Sequence, residues 1–186
     1  MKTEIRLAGT GGQGVILASV ILAEAAGVHE GKHVVQTQSY GPEARGGASR
    51  ADVIIADEPI LYPKSRRLDV LVSLSQQAAD KYFDDLKVHG IAIIDGFYVR
   101  ECPREGAICL PMTETARNEL GRELFTNILT LGALARITGV VELESLEKSV
   151  ANRVPAKALD LNKRALALGW ELGARRTKSE AGIQNA

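Results

Sequence analysis

The sequence is poor in the residues that most metal centres and nucleic-acid sites require. Of its 186 residues, two are cysteine, three are histidine and 4% are aromatic. Cys102 and Cys109 form no C-x-x-C pair and have no histidine cluster beside them, so zinc or iron–sulfur ligation by this chain alone is not expected. The formal net charge is zero, which argues against a general nucleic-acid binder, and the few aromatics argue against a stacking platform for single strands.

A long hydrophobic run and a leader-like start are also missing. The longest uncharged stretch, residues 7–23, is interrupted by four glycines and closed by Glu24, whereas a membrane helix needs about 20 mainly apolar residues. The first residues, Met1–Glu4, are charged and precede a predicted strand, so no signal peptide is expected. We therefore expect a cytoplasmic protein that makes no membrane contact and keeps its two cysteines as thiols.

A glycine-rich turn near the N-terminus is the feature around which the chain is organised. An apolar strand enters this turn, which reads Gly-Thr-Gly-Gly-Gln-Gly, and an apolar helix leaves it at Val15. The first, third and sixth residues fit the G-x-G-x-x-G spacing, and such a turn aims unpaired N–H groups and the positive end of the helix dipole at a phosphate or carboxylate. The candidate ligand-binding or interface residues of the turn are Gly9, Gly11, Gly12, Gln13 and Gly14.

The acidic residue that an NAD-binding unit requires is missing. In that unit an Asp or Glu, roughly 20 positions beyond the turn, ends the second strand and holds the ribose. Here the predicted second strand, residues 33–38, ends without an acid, and Glu30 lies before it. Three interpretations stay open: a nucleotide-binding turn, a turn packed against a partner, and a site for another phosphate-bearing ligand.

A second glycine-rich segment follows this strand. By the order of elements it leaves the carboxyl end of the strand, which is the edge where open α/β sheets bind ligands. A tyrosine and an arginine set among glycines are typical of a contact surface, and a solvated surface loop is the alternative. The candidate ligand-binding or interface residues of this segment are Tyr40, Gly41, Pro42, Glu43, Arg45, Gly46 and Gly47.

The order of predicted elements indicates one Rossmann-like α/β domain. Val- and Ile-rich strands at 50–56, 68–74 and 90–95 alternate with helices, which indicates a mostly parallel sheet with helices on both faces. We place this domain at residues 1–176 and predict a disordered tail over 177–186. Because consecutive parallel strands joined by a helix are usually neighbours, the first two strands should pair, with both glycine-rich segments on one carboxyl edge.

Two predicted helices carry further expectations. The first, from Val15 to about Ala26, is almost wholly apolar, so both of its faces should be covered, by another helix or by another subunit. If one face is free, the isolated chain should self-associate. A second helix is predicted over residues 122–138 with Leu124, Ile128, Leu131 and Ala135 on one face; Asn127 within it is either a buried hydrogen-bonding residue or solvent-facing. The final helix is expected to end at about Arg175.

No self-contained catalytic set can be placed. No Ser–His–Asp arrangement is evident, and the three histidines are expected at the surface or at helix caps. The only carboxylates that could share a strand end are Glu43 and Asp95. From the residues alone, the chain is a domain with an anion-binding turn and no catalytic residues of its own.

Two segments together resemble the gamma subunit of 2-oxoacid:ferredoxin oxidoreductases. Residues 9–14 and the helix after them resemble the opening of that subunit, and residues 39–47, Ser-Tyr-Gly-Pro-Glu-Ala-Arg-Gly-Gly, resemble its second signature. Residues 57–63 and 127–133 are also similar, so the resemblance covers about residues 3–176. The second signature is most similar to the 2-oxoglutarate or branched-chain branch; pyruvate-type chains typically replace the last glycine, and indolepyruvate-type chains lack Pro-Glu.

The resemblance implies a subunit of an oxidoreductase that decarboxylates a 2-oxoacid, here 2-oxoglutarate, acylates coenzyme A and reduces ferredoxin. It implies alpha and beta subunits as partners, with a delta subunit where present, and it places thiamine diphosphate and iron–sulfur clusters on them. No cofactor and no catalytic residue are assigned to this chain, which is expected to be inactive alone. The alternative, motivated by the G-x-G-x-x-G spacing, is an independent Rossmann-type nucleotide-binding oxidoreductase.

The two glycine-rich segments are predicted to form one anion site. The turn at residues 11–14 would supply backbone N–H groups and Arg45 a charge-assisted contact, with coenzyme A phosphates as the occupant in the assembled enzyme. The rival interpretation is that Arg45 pairs with Glu43 or with a partner's carboxylate and that no ligand enters.

Overall fold

Six strands form one mixed sheet. A computed structural model gives this fold and describes residues 1–39, 48–102 and 105–183, with side chains up to residue 175. The strands in the described ranges are β1 (Lys2–Thr10), β2 (His33–Ser39), β3 (Ala48–Ala56), β4 (Leu68–Ser73), β5 (Leu86–Asp95) and β6 (Ile108–Leu110). Their order is β2-β3-β1-β4-β5-β6; β3 runs antiparallel to both neighbours, while β1, β4, β5 and β6 pair in parallel. The α/β class is therefore confirmed, with β3 reversed.

The expected pairing of β1 with β2 is wrong, because β3 lies between them. β2 and β3 are joined by residues 40–47 alone, which is short enough for an antiparallel hairpin. A parallel pairing of β2 with β3 would need a longer crossover connection. β1 and β2 still point the same way: Thr10 lies opposite Ala48, and Ser39 lies opposite Arg50. Both ends of the 40–47 segment therefore lie at the carboxyl edge of β1, as expected, while the segment itself is outside the described residues.

Six α-helices pack on this sheet in the described part of the chain. They are α1 (Val15–Glu24), α2 (Gln76–Tyr82), α3 (Met112–Leu120), α4 (Thr126–Thr138), α5 (Leu143–Arg153) and α6 (Leu159–Ile183). The larger core lies between one face of the sheet and the helices α1 and α3–α6, and α2 covers a smaller core on the other face. The final helix continues to Ile183, past the end expected at Arg175; the disordered tail stays a prediction.

Both faces of α1 are covered, as its composition predicts. Its apolar residues pack between the sheet and the chain's own helices α4 and α5, so another subunit is not required for this cover. Even the one polar residue near its middle is satisfied: the Ser19 hydroxyl accepts a hydrogen bond from Gln36 Nε2 (2.9 Å) and donates to the Ile16 carbonyl (2.7 Å). Leu17 is the exposed exception, at 39%. Self-association of the isolated chain was expected only if one face of α1 were free, so this cover removes the reason given for it.

The predicted helix over residues 122–138 begins later than expected. Residues Glu123–Phe125 form a 3₁₀ turn, and α4 starts at Thr126. The tighter winding of the 3₁₀ turn rotates Leu124 away from the core, where it is 68% exposed, so its placement on the buried face is wrong. Ile128, Leu131 and Ala135 are buried as predicted.

A carboxylate joins the end of α1 to α5. Glu24 accepts hydrogen bonds from Asn152 Nδ2 (2.8 Å) and from Arg153 Nε, and its side chain is only 8% exposed. Burial acts to raise the pKa of Glu24, but the hydrogen bonds from Asn152 and Arg153 outweigh it, and the pKa lies below its ordinary value of 4.5. The charged carboxylate is therefore the form that the fold stabilises.

Stability should fall in acid through this group. Because the pKa of Glu24 is lowered in the folded state, its contribution is fully present above about pH 4.5 and is lost as the pH falls through the lowered value. We expect Glu24→Gln to cost roughly 1–2 kcal/mol at pH 7, discounted for the half-exposed Arg153. Urea unfolding at pH 7 and pH 3.5 measures it: the difference in stability between the two proteins should be smaller at the lower pH. A gap that stays constant across this range would contradict the assignment.

Candidate functional site

The glycine turn is closed by a buried asparagine. Gly14 is the N-cap of α1 and has φ 72°, in the left-handed region that favours glycine. A Cβ at this position would lie 2.5 Å from Asn127 Nδ2, so glycine is also required by space. Asn127 is 5% exposed and donates a hydrogen bond to the Gly14 carbonyl at 3.3 Å. Of the two positions that the sequence left open for Asn127, buried or facing solvent, the structure shows the first. The side chain links α4 to the turn within the chain.

Gln13 braces the turn from inside. Its Oε1 accepts a hydrogen bond from the Thr10 amide at 2.7 Å, and its Nε2 donates to the Leu74 carbonyl at 2.8 Å. These bonds tie the end of β1 to the end of β4, next to the Leu74 amide that donates to the Ala8 carbonyl at 2.8 Å. A Cβ at Gly9 would overlap Gln13 Oε1. Gln13 and Gly9 therefore shape the turn, and the Thr10 amide is already used.

The open surface of the turn lies at Gly11 and Gly12. Both are exposed, and a Cβ at either position would meet no heavy atom within 4 Å. The N-cap of α1 has no side-chain hydrogen bond, and its first turn carries no acidic residue. No acidic side chain of α1's own first turn neutralises the positive end of the helix dipole, which favours an anion at this surface.

Asp95 lies at the same edge of the sheet, but its carboxylate is buried and already hydrogen-bonded within the chain. It is fully buried and accepts hydrogen bonds from the Thr113 hydroxyl (2.5 Å), the Thr113 amide (3.2 Å) and the Phe97 amide (3.3 Å). A carboxylate held by these donors fixes the start of α3 to the end of β5. Glu43, its suggested partner, is outside the described residues, as are the other candidates from Tyr40 to Gly47.

A buried ion pair between β1, the strand that enters the turn, and β3 was not predicted from the sequence. Arg6 and Asp52 lie opposite each other in β1 and β3 and are 2% and 7% exposed. The guanidinium donates from Nε to Asp52 Oδ1 (2.7 Å) and from Nη2 to Oδ2 (2.9 Å), and Nη1 contacts Asp85. Burial acts to lower the pKa of Arg6, but these hydrogen bonds and charges raise it above its ordinary value. The Tyr82 ring, 4.9 Å from the Arg6 guanidinium, completes this cluster.

An exposed aromatic cluster follows β5 and was also missed. The rings of Phe97 and Tyr98 meet edge to face at 4.9 Å, and the Arg117 guanidinium lies 4.4 Å from the centre of the Phe97 ring. Glu123 accepts from the Tyr98 hydroxyl at 2.7 Å and from Arg117. The bond to Glu123 raises the pKa of Tyr98, and the bonds from Tyr98 and Arg117 lower the pKa of Glu123. The cluster satisfies its own charges.

Two negative observations bear on the remaining chemistry. Among the described residues, no group of three His, Cys, Asp or Glu side chains is arranged to hold a metal ion. Within the same ranges, no helix has both the length and the apolar character needed to cross a membrane.

Comparisons with known proteins identify the family of the chain. A family model described as pyruvate ferredoxin/flavodoxin oxidoreductase matches residues 4–172. The chain belongs to this family. It is 47% identical to the 2-oxoglutarate synthase subunit KorC of Methanocaldococcus jannaschii over 176 residues, which cover 92% of this chain and 94% of that one. The predicted family is thereby confirmed, and the chain is a subunit of an oxidoreductase complex, not an independent nucleotide-binding enzyme.

Solved structures in the family share the fold. The gamma subunit of a keto/oxoacid ferredoxin oxidoreductase from Geobacter sulfurreducens is 44% identical, with a TM-score of 0.86 over 94% of this chain and 98% of that one. A 2-oxoglutarate:ferredoxin oxidoreductase from Magnetococcus marinus, solved with 2-oxoglutarate, coenzyme A and succinyl-CoA bound, is 24% identical with a TM-score of 0.83. This chain matches 31% of that longer polypeptide, so the same fold forms one part of a larger chain there.

Proposed function

We propose that the chain is the gamma subunit of a 2-oxoglutarate:ferredoxin oxidoreductase. The complex would oxidatively decarboxylate 2-oxoglutarate to succinyl-CoA and carbon dioxide and pass the electrons to ferredoxin. The observation that carries this proposal is the 47% identity to a 2-oxoglutarate synthase subunit over nearly the full length of both chains. The described part of this chain has no metal cluster, which is compatible with thiamine diphosphate and iron–sulfur clusters on alpha, beta or delta subunits in the cytoplasm.

Within that complex, the chain's own contribution would be to bind coenzyme A phosphates at the glycine turn. The open backbone at Gly11 and Gly12 and the uncapped start of α1 support this role. A helix N-terminus contributes only about 0.3–1 kcal/mol at an exposed site. Arg45, from the segment anchored at the same edge, would add about 1.5–3 kcal/mol as a charge-assisted contact. Since these energies localise a phosphate without binding it tightly, other subunits must supply the rest of the affinity.

Arg45→Ala in the reconstituted complex tests the site. We expect the Michaelis constant for coenzyme A to rise about tenfold or more, because 1.4 kcal/mol corresponds to a factor of ten. The Michaelis constant for 2-oxoglutarate should change little, since Arg45 is assigned to the other substrate. Steady-state kinetics with each substrate varied in turn gives both constants.

The matched control is Arg67→Ala, which removes an exposed arginine from another part of the chain and should leave both constants unchanged. If the Arg45 variant fails to assemble, or assembles with an unaltered constant for coenzyme A, the 40–47 segment is an interface and the anion site is wrong. A wild-type complex that oxidises pyruvate faster than 2-oxoglutarate would overturn the substrate assignment.

A further inference from the structure

An apolar groove opens beside the glycine turn, between α1, the 3₁₀ turn and the start of α6. Its volume is about 530 Å³, and Leu17, Leu124 and Leu161 line it with side chains that are 39%, 68% and 40% exposed. Leu120 and Phe125 form its buried floor. Exposed apolar side chains that are grouped together and rimmed by polar residues are typical of an interaction site. These five residues define what we call the leucine groove.

The rim of the leucine groove is positively charged. Arg122 and Lys157 lie on it, and no acidic residue belongs to its described lining. Both cations are exposed, and neither has an ion-pair partner among the residues that the structure describes. By contrast, the nearby Arg117 is already paired with Glu123. The groove therefore offers apolar area with two uncommitted positive charges, which complements an apolar side chain flanked by a carboxylate.

We propose that the leucine groove binds a segment of a neighbouring subunit of the same oxidoreductase, and that this segment presents an apolar side chain next to an Asp or Glu. The proposal rests on the proposed function, since that function supplies the neighbouring subunit. It also agrees with the longer polypeptide from Magnetococcus marinus, in which this fold is covalently joined to further chain. A second copy of this chain fits less well, because a symmetric contact would bring the positive charges of Arg122 and Lys157 of both copies together.

Charge reversal tests the rim. Arg122→Glu/Lys157→Glu should raise the dissociation constant of this chain from its co-expressed alpha and beta subunits at least tenfold. The difference in affinity between this variant and the wild type should become smaller at high salt, because salt screens the charges that the substitutions reverse. The matched control, Lys64→Glu/Arg67→Glu, makes the same change of charge at exposed residues outside the groove and should alter the constant less than twofold. Circular dichroism and thermal unfolding of each isolated variant check that the fold is intact.

Photo-crosslinking tests the occupant. A photo-crosslinking amino acid at position 124, in the assembled and active complex, should capture a peptide of another subunit that contains Asp or Glu. Crosslinks between two copies of this chain would overturn the proposal, and so would equal effects of the groove and control reversals. An active complex with unchanged affinity in the groove variant refutes the groove alone; a wild-type chain that forms no complex refutes the proposed function, and the groove proposal fails with it.

Discussion

Asp52→Ala should destabilise the protein by about 3–5 kcal/mol, the cost of leaving a buried charge without its partner. The carboxylate holds both Nε and Nη2 of Arg6 at 2.7 and 2.9 Å, at a position where Arg6 is 2% exposed. After the substitution Asp85, whose side chain is 44% exposed, would be the one described carboxylate left beside the guanidinium. Such a loss is a large fraction of the roughly 5–15 kcal/mol by which most domains are stable. Denaturant unfolding followed by circular dichroism measures it.

The double variant Arg6→Met/Asp52→Leu separates charge from packing. Because replacing a buried ion pair by apolar residues of similar volume is often neutral or stabilising, this protein should unfold within about 1–2 kcal/mol of the wild type. The expected ordering is therefore that the double variant is more stable than either single one. If Asp52→Ala alone costs less than about 1 kcal/mol, the pair is solvated in solution and its buried geometry is wrong.

Gly169→Ala should be the most disruptive single-methyl change in the helical layer. A Cβ at this position would overlap the Leu129 carbonyl and lie 2.7 Å from its carbon, and both atoms belong to the backbone of α4. Gly132, on the facing helix, is equally closed by the Leu166 carbonyl and lies 2.8 Å from the Trp170 amide. Helix propensity favours alanine over glycine by about 1 kcal/mol, so on propensity alone the change would stabilise. Overpacking costs about 1–3 kcal/mol or more and should win, because backbone cannot move aside as a side chain can.

Gly27→Ala is the matched control for this change. Gly27 lies in the π-helical turn after α1, where an added Cβ would meet Val34 Cγ2 at an ordinary 3.5 Å. This variant should have the wild-type melting temperature or a slightly higher one, while Gly169→Ala should melt several degrees lower. Equal melting temperatures would show that α4 and α6 are not in backbone contact.

The features predicted correctly from sequence are those that depend on local pattern. The all-apolar composition after Val15 indicated a helix covered on two faces, and the structure covers it with the sheet, α4 and α5. The order of elements predicted that β1 and β2 end at one edge, and Ser39 and Ala48, which flank the 40–47 segment, lie at that edge. The family was recognisable because each of its two signatures is a run of consecutive residues, so no knowledge of the fold was needed to find it.

Most of the features missed depend on contacts between distant residues. Gln13 stabilises the turn by a hydrogen bond to the Leu74 carbonyl, and the sequence of the turn alone does not predict that partner. Arg6 reads as one of the charged residues alternating along β1, and its burial follows only when β3 brings Asp52 opposite it. Leu124 was misplaced because a helical period was extended through a segment that winds as a 3₁₀ turn. For Gln13 and Arg6 the deciding contact is with a residue far along the chain, whereas for Leu124 it is a local change in helix type.

The cover of α1 also constrains how the protein can be made. Its apolar residues are complete once residue 24 has been synthesised, but α4 begins only at residue 126 and α5 ends at residue 153. At a synthesis rate of about 5–20 residues per second, the 129 residues from position 24 to position 153 take roughly 6–26 s. During that time a nascent helix with almost no polar face waits on the ribosome without its final neighbours. We therefore expect chaperones to bind the emerging chain at α1, although this helix is covered in the folded domain.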